Sequence, residues 1–289
     1  MKDREGKLQG RGDARTFLRV SGFSRAALLS LPWSVLDSGP DLGPANMATD
    51  LALLAHARST GTAVLRIYAW SRPTLSLGRH ERARGTIHAP ALRVEGIDVV
   101  RRPTGGRALL HDHEVTYSVA APTGTMTLRE SYVAINTLLL SALARLGVAA
   151  TAVGREITER RALRPEGAAC FAEPGEGEIV VGGAKLIGSA QWREEGALLQ
   201  HGSILLADDQ PRIARLRPPG TPARAIAPAA TLTGALGRPV SYAEVRDALV
   251  AALSEGLGTT PPPLDPSRLH PIHYTLLQEV ADPSWTWRR

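Results

Sequence analysis

Arg101-Arg102-Pro103-Thr104-Gly105-Gly106-Arg107-Ala108-Leu109-Leu110-His111-Asp112-His113-Glu114 is the densest run of chemistry-bearing residues in the chain. It reads as the end of one strand (Val99–Arg102), a tight glycine turn, and two returning strands (Ala108–Leu110 and Val115–Ala120). Paired glycines let a backbone pass close to a ligand. The flanking arginines carry forked donors that suit an anionic or carbonyl-bearing group. A bare Gly-Gly is an ordinary hairpin turn, so the whole string, rather than its glycines, marks a candidate site. His111 and His113 lie two apart and share a strand face, as metal ligands would. No cysteine or third histidine nearby completes a set, so no metal is expected.

Outward from this run, short strands alternate with a few helices. Val64–Ala69 and Thr74–Leu77 precede it as strand-like runs. Pro44 opens a helix to about Arg58, with Met47, Leu51 and Leu54 at helical spacing. Thr127-Leu128-Arg129-Glu130 is a capping box that opens a helix to about Leu146, and Gly147 follows it. Residues 154–177 are rich in Arg, Glu, Gly and Pro and read as a long loop, a feature that often carries function. Strands are predicted at Glu178–Gly182, Lys185–Gln191 and Ala197–Leu206. A second capping box, Ser241-Tyr242-Ala243-Glu244, opens a helix to about Glu255. Pro261-Pro262-Pro263 reads as a stiff connector to a helical tail holding Trp285 and Trp287. The pattern predicts an α+β (mixed α/β) class. A tail is expected over residues 1–30, a single domain over 31–289, and a helical C-terminal part from about 241.

The 289 residues are 43% hydrophobic and 21% charged, ordinary for a globular chain and unlike a disordered one. No apolar run approaches the ~20 residues of a membrane span, and no signal-peptide core is evident, so a cytoplasmic protein is expected. The net charge is +6, which predicts attraction to something acidic. The arginines are scattered and only 4% of residues are aromatic, which disfavours a nucleic-acid partner. Of 34 basic residues only Lys2, Lys7 and Lys185 are lysine, and Cys170 is the one cysteine. That cysteine count excludes an intramolecular disulfide and a cysteine-based zinc site.

Lys185 and Cys170 fall in a second dense stretch. It runs from Ala169-Cys170-Phe171 through Glu178-Ile179-Val180-Val181-Gly182-Gly183-Ala184-Lys185 to Gly188-Ser189-Ala190-Gln191. A loop folded back over this hairpin would bring the thiol to the amine. An ammonium within about 4–6 Å favours the thiolate, and a thiolate is the nucleophile of covalent acyl transfer. On the residues alone, an inert buried cysteine and a chance lysine remain an equal reading.

Residues 101–118 (RRPTGGRALLHDHEVTYS) and 182–206 (GGAKLIGSAQWREEGALLQHGSILL) resemble the biotin/lipoate protein ligase superfamily. Within it they are most similar to the Gram-positive type of octanoyl-carrier-protein:protein N-octanoyltransferase. The resemblance spans roughly residues 32–289 and takes in Asn46-Met47-Ala48, Asp50 and Trp285. It implies mixed sheets flanked by helices. It implies that Cys170 forms an acyl-thioester and that Lys185 lowers its pKa. The octanoyl group would pass from octanoyl-acyl carrier protein to a lysine of a lipoyl-domain protein, such as the glycine cleavage H protein. No cofactor is implied. Arg102, Thr104, Gly105, Gly106, Arg107 and His111, with Gly188, Ser189 and Ala190, would bind substrate. His113 and His201 are candidate proton carriers, with a structural role for each an equal reading. ATP-dependent lipoate ligases share the lysine and the glycine-rich loop but lack the cysteine, and they are the competing activity, alongside an amidotransferase working between lipoyl domains. One departure stands out: Gly177 replaces an aromatic residue usual in that family, which predicts a more flexible loop.

Overall fold

The computed structural model describes residues 25–154, 177–221 and 226–288. The strands are β1 (Trp33–Asp41), β2 (Ala63–Trp70), β3 (Thr74–Leu77), β4 (Asp98–Arg101), β5 (Leu109–His111), β6 (Glu114–Pro122), β7 (Thr151–Ala152), β8 (Ile179–Val181), β9 (Ala184–Glu194) and β10 (Ala197–Leu205). They form a seven-stranded sheet ordered β1-β2-β6-β10-β9-β8-β7 and a three-stranded sheet ordered β4-β3-β5. The pairs β1–β2 and β3–β4 are parallel and the others antiparallel.

The helices are α1 (Gly43–Thr60), α2 (Ala89–Glu95), α3 (Leu128–Arg145), α4 (Leu232–Leu236), α5 (Tyr242–Leu257), α6 (His270–Ala281) and α7 (Pro283–Thr286). Both predicted capping boxes are present, on α3 and α5. The large sheet is buried on both faces. Leu65, Ile67, Tyr117, Val119 and Leu198 pack against Ile135, Leu139, Val245 and Leu249 of α3 and α5. Val64, Ala120 and Leu199, from the opposite face, pack against Leu53, Leu54 and Ala57 of α1. Successive strand residues point to opposite faces, and this double cover explains why β2 is buried along almost its whole length rather than at alternate residues.

Three features differ from the sequence expectation. Residues 25–29 are helical and Leu28 is 2% exposed in the main core, so packed structure begins earlier than residue 31. Trp33–Asp41 is a strand, although Gly39 and Pro40 break its apolar pattern; it is an edge strand, where such residues are tolerated. The proline run is more than a connector. Val35 N–H donates to Pro262 O and Leu264 N–H to Val35 O, which covers the open side of β1. Among the described residues no helix is long and apolar enough to cross a membrane.

Candidate active site

Residues 102–107 form the turn after β4, and its shape is set by backbone contact. A Cβ on Gly78 would lie 1.9 Å from Gly106 O, so only glycine fits where the two loops touch. Gly106 itself has φ +97°, a left-handed conformation that favours glycine. A Cβ on Gly105 would meet nothing within 4 Å, and Gly106 is exposed.

The Arg102 side chain folds back into this loop. Its Nε and Nη2 donate to Gly105 O, Nη2 also to Arg107 O, and Nη1 to Ser76 O and Oγ. A guanidinium has five N–H groups, so Arg102 acts here as the loop's internal scaffold, in place of the outward fork the sequence suggested. Arg101 is also buried. Its Nη1 donates to Gly78 O and Glu81 O, and its Nε to Trp285 O and Thr286 O. Arg107 is half-buried at the far end of the turn.

Two buried histidines join the small sheet to the large one. His201 on β10 has Nδ1 2.9 Å from Asp50 Oδ2 and Nε2 2.6 Å from Thr104 Oγ1. The Asp50 carboxylate only accepts, so Nδ1 carries the proton and Nε2 accepts from the Thr104 hydroxyl. Burial pushes the His201 pKa below its ordinary value, against the pull of Asp50, which keeps the ring neutral. His111 has Nδ1 2.7 Å from Glu114 Oε1 and Nε2 2.7 Å from Ser76 Oγ, and its ring stacks on Trp70 at 3.9 Å. Both nitrogens of both rings are engaged inside the protein. The polar side-chain atoms of His111, His201 and Thr104 are thus engaged within the protein, where they tie the loop to the two sheets.

Asp50 is fully buried and accepts from Arg66 Nη1, the Tyr68 hydroxyl, Ser118 Oγ and His201. Burial acts to raise its pKa, but the Arg66 guanidinium and the hydrogen bonds outweigh it and hold the carboxyl below its ordinary value. Ser203 and Thr116 donate to Glu114 Oε1, completing the second cluster.

Lys185 lies where β9 carries a bulge against β8: Ile179 faces Ile187, while Val180 faces Lys185. Its side chain is 0% exposed, and Nζ donates to Glu178 Oε1 across the hairpin. Further along β9, Gly188, Ser189 and Ala190 lie opposite Ser203, Gly202 and His201 of β10. A Cβ on Gly202 would come within 2.6 Å of Gly188 O. Ser189 Oγ is 2.7 Å from the Tyr117 hydroxyl, which accepts from Gln200; burial pushes the Tyr117 pKa up to about 12.

Gly177 is held rather than loose: its N–H donates to Val153 O and its carbonyl accepts from Asn136 Nδ2. It has φ +79°, and a Cβ there would lie 2.8 Å from the Tyr132 ring. Tyr132 of α3 thus fills the space that an aromatic at 177 would need. Cys170 lies outside the described residues.

His113 stands apart from the loop. It is largely exposed, and its Nδ1 is 2.7 Å from Asp209 Oδ2, a hydrogen bond that raises its pKa. With Asp112 it forms a cluster of three oxygen and nitrogen ligands, but Arg212 already sits 2.7 Å from Asp112 Oδ2 as its cation. Sequence reasoning did not assign roles to Ser76, Glu114 or Glu178. A signal for Glu178 existed: it faces Lys185 across a predicted hairpin.

Mixed sheets, a glycine loop on buried polar clamps and the buried Lys185 define a ligase-type catalytic domain. The chain belongs to the lipoyl protein ligase A/B catalytic domain family, whose model matches residues 43–254. Two curated relatives are named octanoyltransferase LipM. The one from Symbiobacterium thermophilum is 44% identical over 79% of this chain and 87% of its own length. The one from Kyrpidia tusciae is 39% identical over 89% and 99%. Among solved structures, a putative lipoate protein ligase from T. acidophilum superposes with a TM-score of 0.69 at 21% identity, covering 89% of this chain and 99% of that one. The mixed α/β fold expected from the sequence is thereby established.

Proposed function

We propose that this chain is an octanoyltransferase of lipoate biosynthesis. It takes the octanoyl group of octanoyl-acyl carrier protein onto Cys170 and passes it to a lysine of a lipoyl-domain protein, such as the glycine cleavage H protein, in the cytoplasm. The observation that carries this reading is Lys185. It is the one lysine in the body of an arginine-rich chain, its side chain is wholly buried, and it sits on the hairpin that follows the segment bearing Cys170. A buried ammonium at that place favours a neighbouring thiolate.

In the first step the Cys170 thiolate attacks the thioester carbonyl. A new C–S bond forms, the carrier's C–S bond breaks, and the carrier leaves as its thiolate, which takes a proton from solvent. In the second step the acceptor amine attacks the Cys170 thioester. An amide C–N bond forms, the C–S bond breaks, Cys170 departs as the thiolate it began as, and the proton lost by the amine passes to solvent. Exchange between thioesters is near neutral in energy and amide formation is downhill, so no nucleotide is required. The open space over Gly105, the exposed Gly106 and the Gly188–Ala190 stretch are the surfaces left for the acyl chain and its carbonyl, with Arg107 at the rim. Backbone N–H groups there are the donors available to a tetrahedral oxyanion.

The test is intact-protein mass spectrometry after incubation with octanoyl-acyl carrier protein and no ATP. A hydroxylamine-labile octanoyl adduct, lost in Cys170→Ala, is the expected result. An ATP-dependent ligase would instead leave no adduct and keep its activity in Cys170→Ala. An adduct loaded preferentially from an octanoylated H protein would mark an amidotransferase.

A further inference from the structure

The +6 charge of the chain is unevenly balanced over its surface. Arginines 58, 145, 238 and 246 each pair with a carboxylate, from Glu195, Glu255, Glu244 and Asp37 respectively. The loop Arg79-His80-Glu81-Arg82-Ala83-Arg84 is different. Among the described residues none of Arg79, Arg82 and Arg84 forms an ion pair. The loop's one acid, Glu81, is turned inward: Oε2 accepts from Gly78 N–H and Oε1 from Ala108 N–H, each at 3.0 Å. Arg82 and Arg84 are exposed. Arg288 reaches the same place, with its guanidinium over the Trp285 ring and Nη2 donating to Arg79 O.

This basic loop borders the candidate active site. Arg79 N–H donates to Thr104 O, and Gly78 touches Gly106. The Arg79 guanidinium stacks over Trp192, two residues beyond Ala190 on β9, at 4.6 Å.

We propose that the 79–84 loop, with Arg288, is the docking surface for the acidic carrier protein that delivers the thioester. This rests on the octanoyl-transfer reading above. A carrier must present its thioester at the 105–107 turn while its own surface rests beside it, and Arg79, Arg82 and Arg84, none of them ion-paired among the described residues, make that rim complementary to an acidic protein face. Such patches act mainly on encounter and specificity, and they weaken with salt.

The test compares two donors, octanoyl-acyl carrier protein and octanoyl-pantetheine, with wild type and with Arg82→Glu/Arg84→Glu. At low ionic strength the double variant is expected to raise KM for the carrier roughly tenfold or more, with the carrier's salt dependence lost. Its turnover of octanoyl-pantetheine should match wild type, which also verifies folding. Arg82→Gln/Arg84→Gln is expected to give a smaller rise in the same direction and serves if the reversed pair does not fold. An unchanged carrier KM in either folded variant overturns the proposal. So does an unchanged carrier KM accompanied by lost binding of a labelled single-stranded oligonucleotide, which would make the patch a nucleic-acid surface. If wild type transfers from octanoyl-pantetheine but not from the carrier, the docking idea is overturned while the acyl-enzyme stands. If it forms an acyl-enzyme from neither donor, the octanoyl-transfer reading itself fails.

Discussion

Asp50→Asn is a sharp test of how the site is held together. Asp50 and Arg66 are 2.8 Å apart with side chains 0% and 1% exposed, so neither has water to fall back on. Replacing the carboxylate with an amide leaves a buried guanidinium without its counter-charge. It also replaces one acceptor oxygen with an N–H₂, facing either Tyr68 and His201 at the Oδ2 position or Arg66 and Ser118 at the Oδ1 position. Breaking a buried pair from one side costs about 3–5 kcal/mol, a large share of the roughly 5–15 kcal/mol that holds a typical domain folded. Urea unfolding of Asp50→Asn, Arg66→Met and the double variant measures this directly. Each single change strands one buried charge and the double strands none, so the two losses should fall short of additivity, with a coupling of about 2 kcal/mol or more. Losses that add to within about 0.5 kcal/mol would mean the pair is not a unit, and the clamp described above would be refuted.

Other changes bear on the loop and its surroundings. Gly78→Ala puts a methyl 1.9 Å from Gly106 O, so the turn must shift; octanoyl transfer should fall by about 10²-fold with circular dichroism unchanged. His201 carries a pKa below the ordinary 6.5, so the unfolded chain binds more protons beneath that pH; stability is complete above 6.5 and declines as pH drops below it. The melting temperature of wild type should therefore fall more steeply from pH 7 to 5 than that of His201→Gln, and equal slopes would count against a buried neutral ring. Gly177→Phe meets both a left-handed backbone, worth about 1–3 kcal/mol of strain, and the Tyr132 ring. Thermal melts should show Tyr132→Ala recovering part of its loss, and no recovery would mean the ring is not the obstacle.

Much of the scaffold was legible because its signals are local. The capping boxes at Thr127 and Ser241 and the strand-like runs of β2, β6 and β10 need no knowledge of partners. β1 was not, since an edge strand can carry Gly39 and Pro40 without losing its pairing. The site was legible as a place and less so as a set of roles. Arginine, threonine and histidine in the 102–111 run look like substrate donors when read along the chain. Whether their polar atoms face outward depends on Ser76, Asp50, Gly105 O and Arg107 O, and only the folded arrangement shows those carbonyls and hydroxyls already taking the hydrogens. Gly177 shows the same limit, because the residue that compensates for it, Tyr132, lies on a different helix.

The Arg101 side chain has a consequence for the order in which the molecule can be made. Its Nε hydrogen bonds go to carbonyls 184 and 185 residues later, in Trp285 and Thr286, and Trp285 Nε1 donates back to Arg101 O. A chain still on the ribosome, growing at about 5–20 residues per second, can form both sheets long before these acceptors exist. Until they arrive, a buried guanidinium at the base of the 102–107 turn lacks them. Synthesis through Thr286 is thus a precondition for a finished turn, and a nascent chain would keep its glycine loop unset while the rest of the fold is already in place.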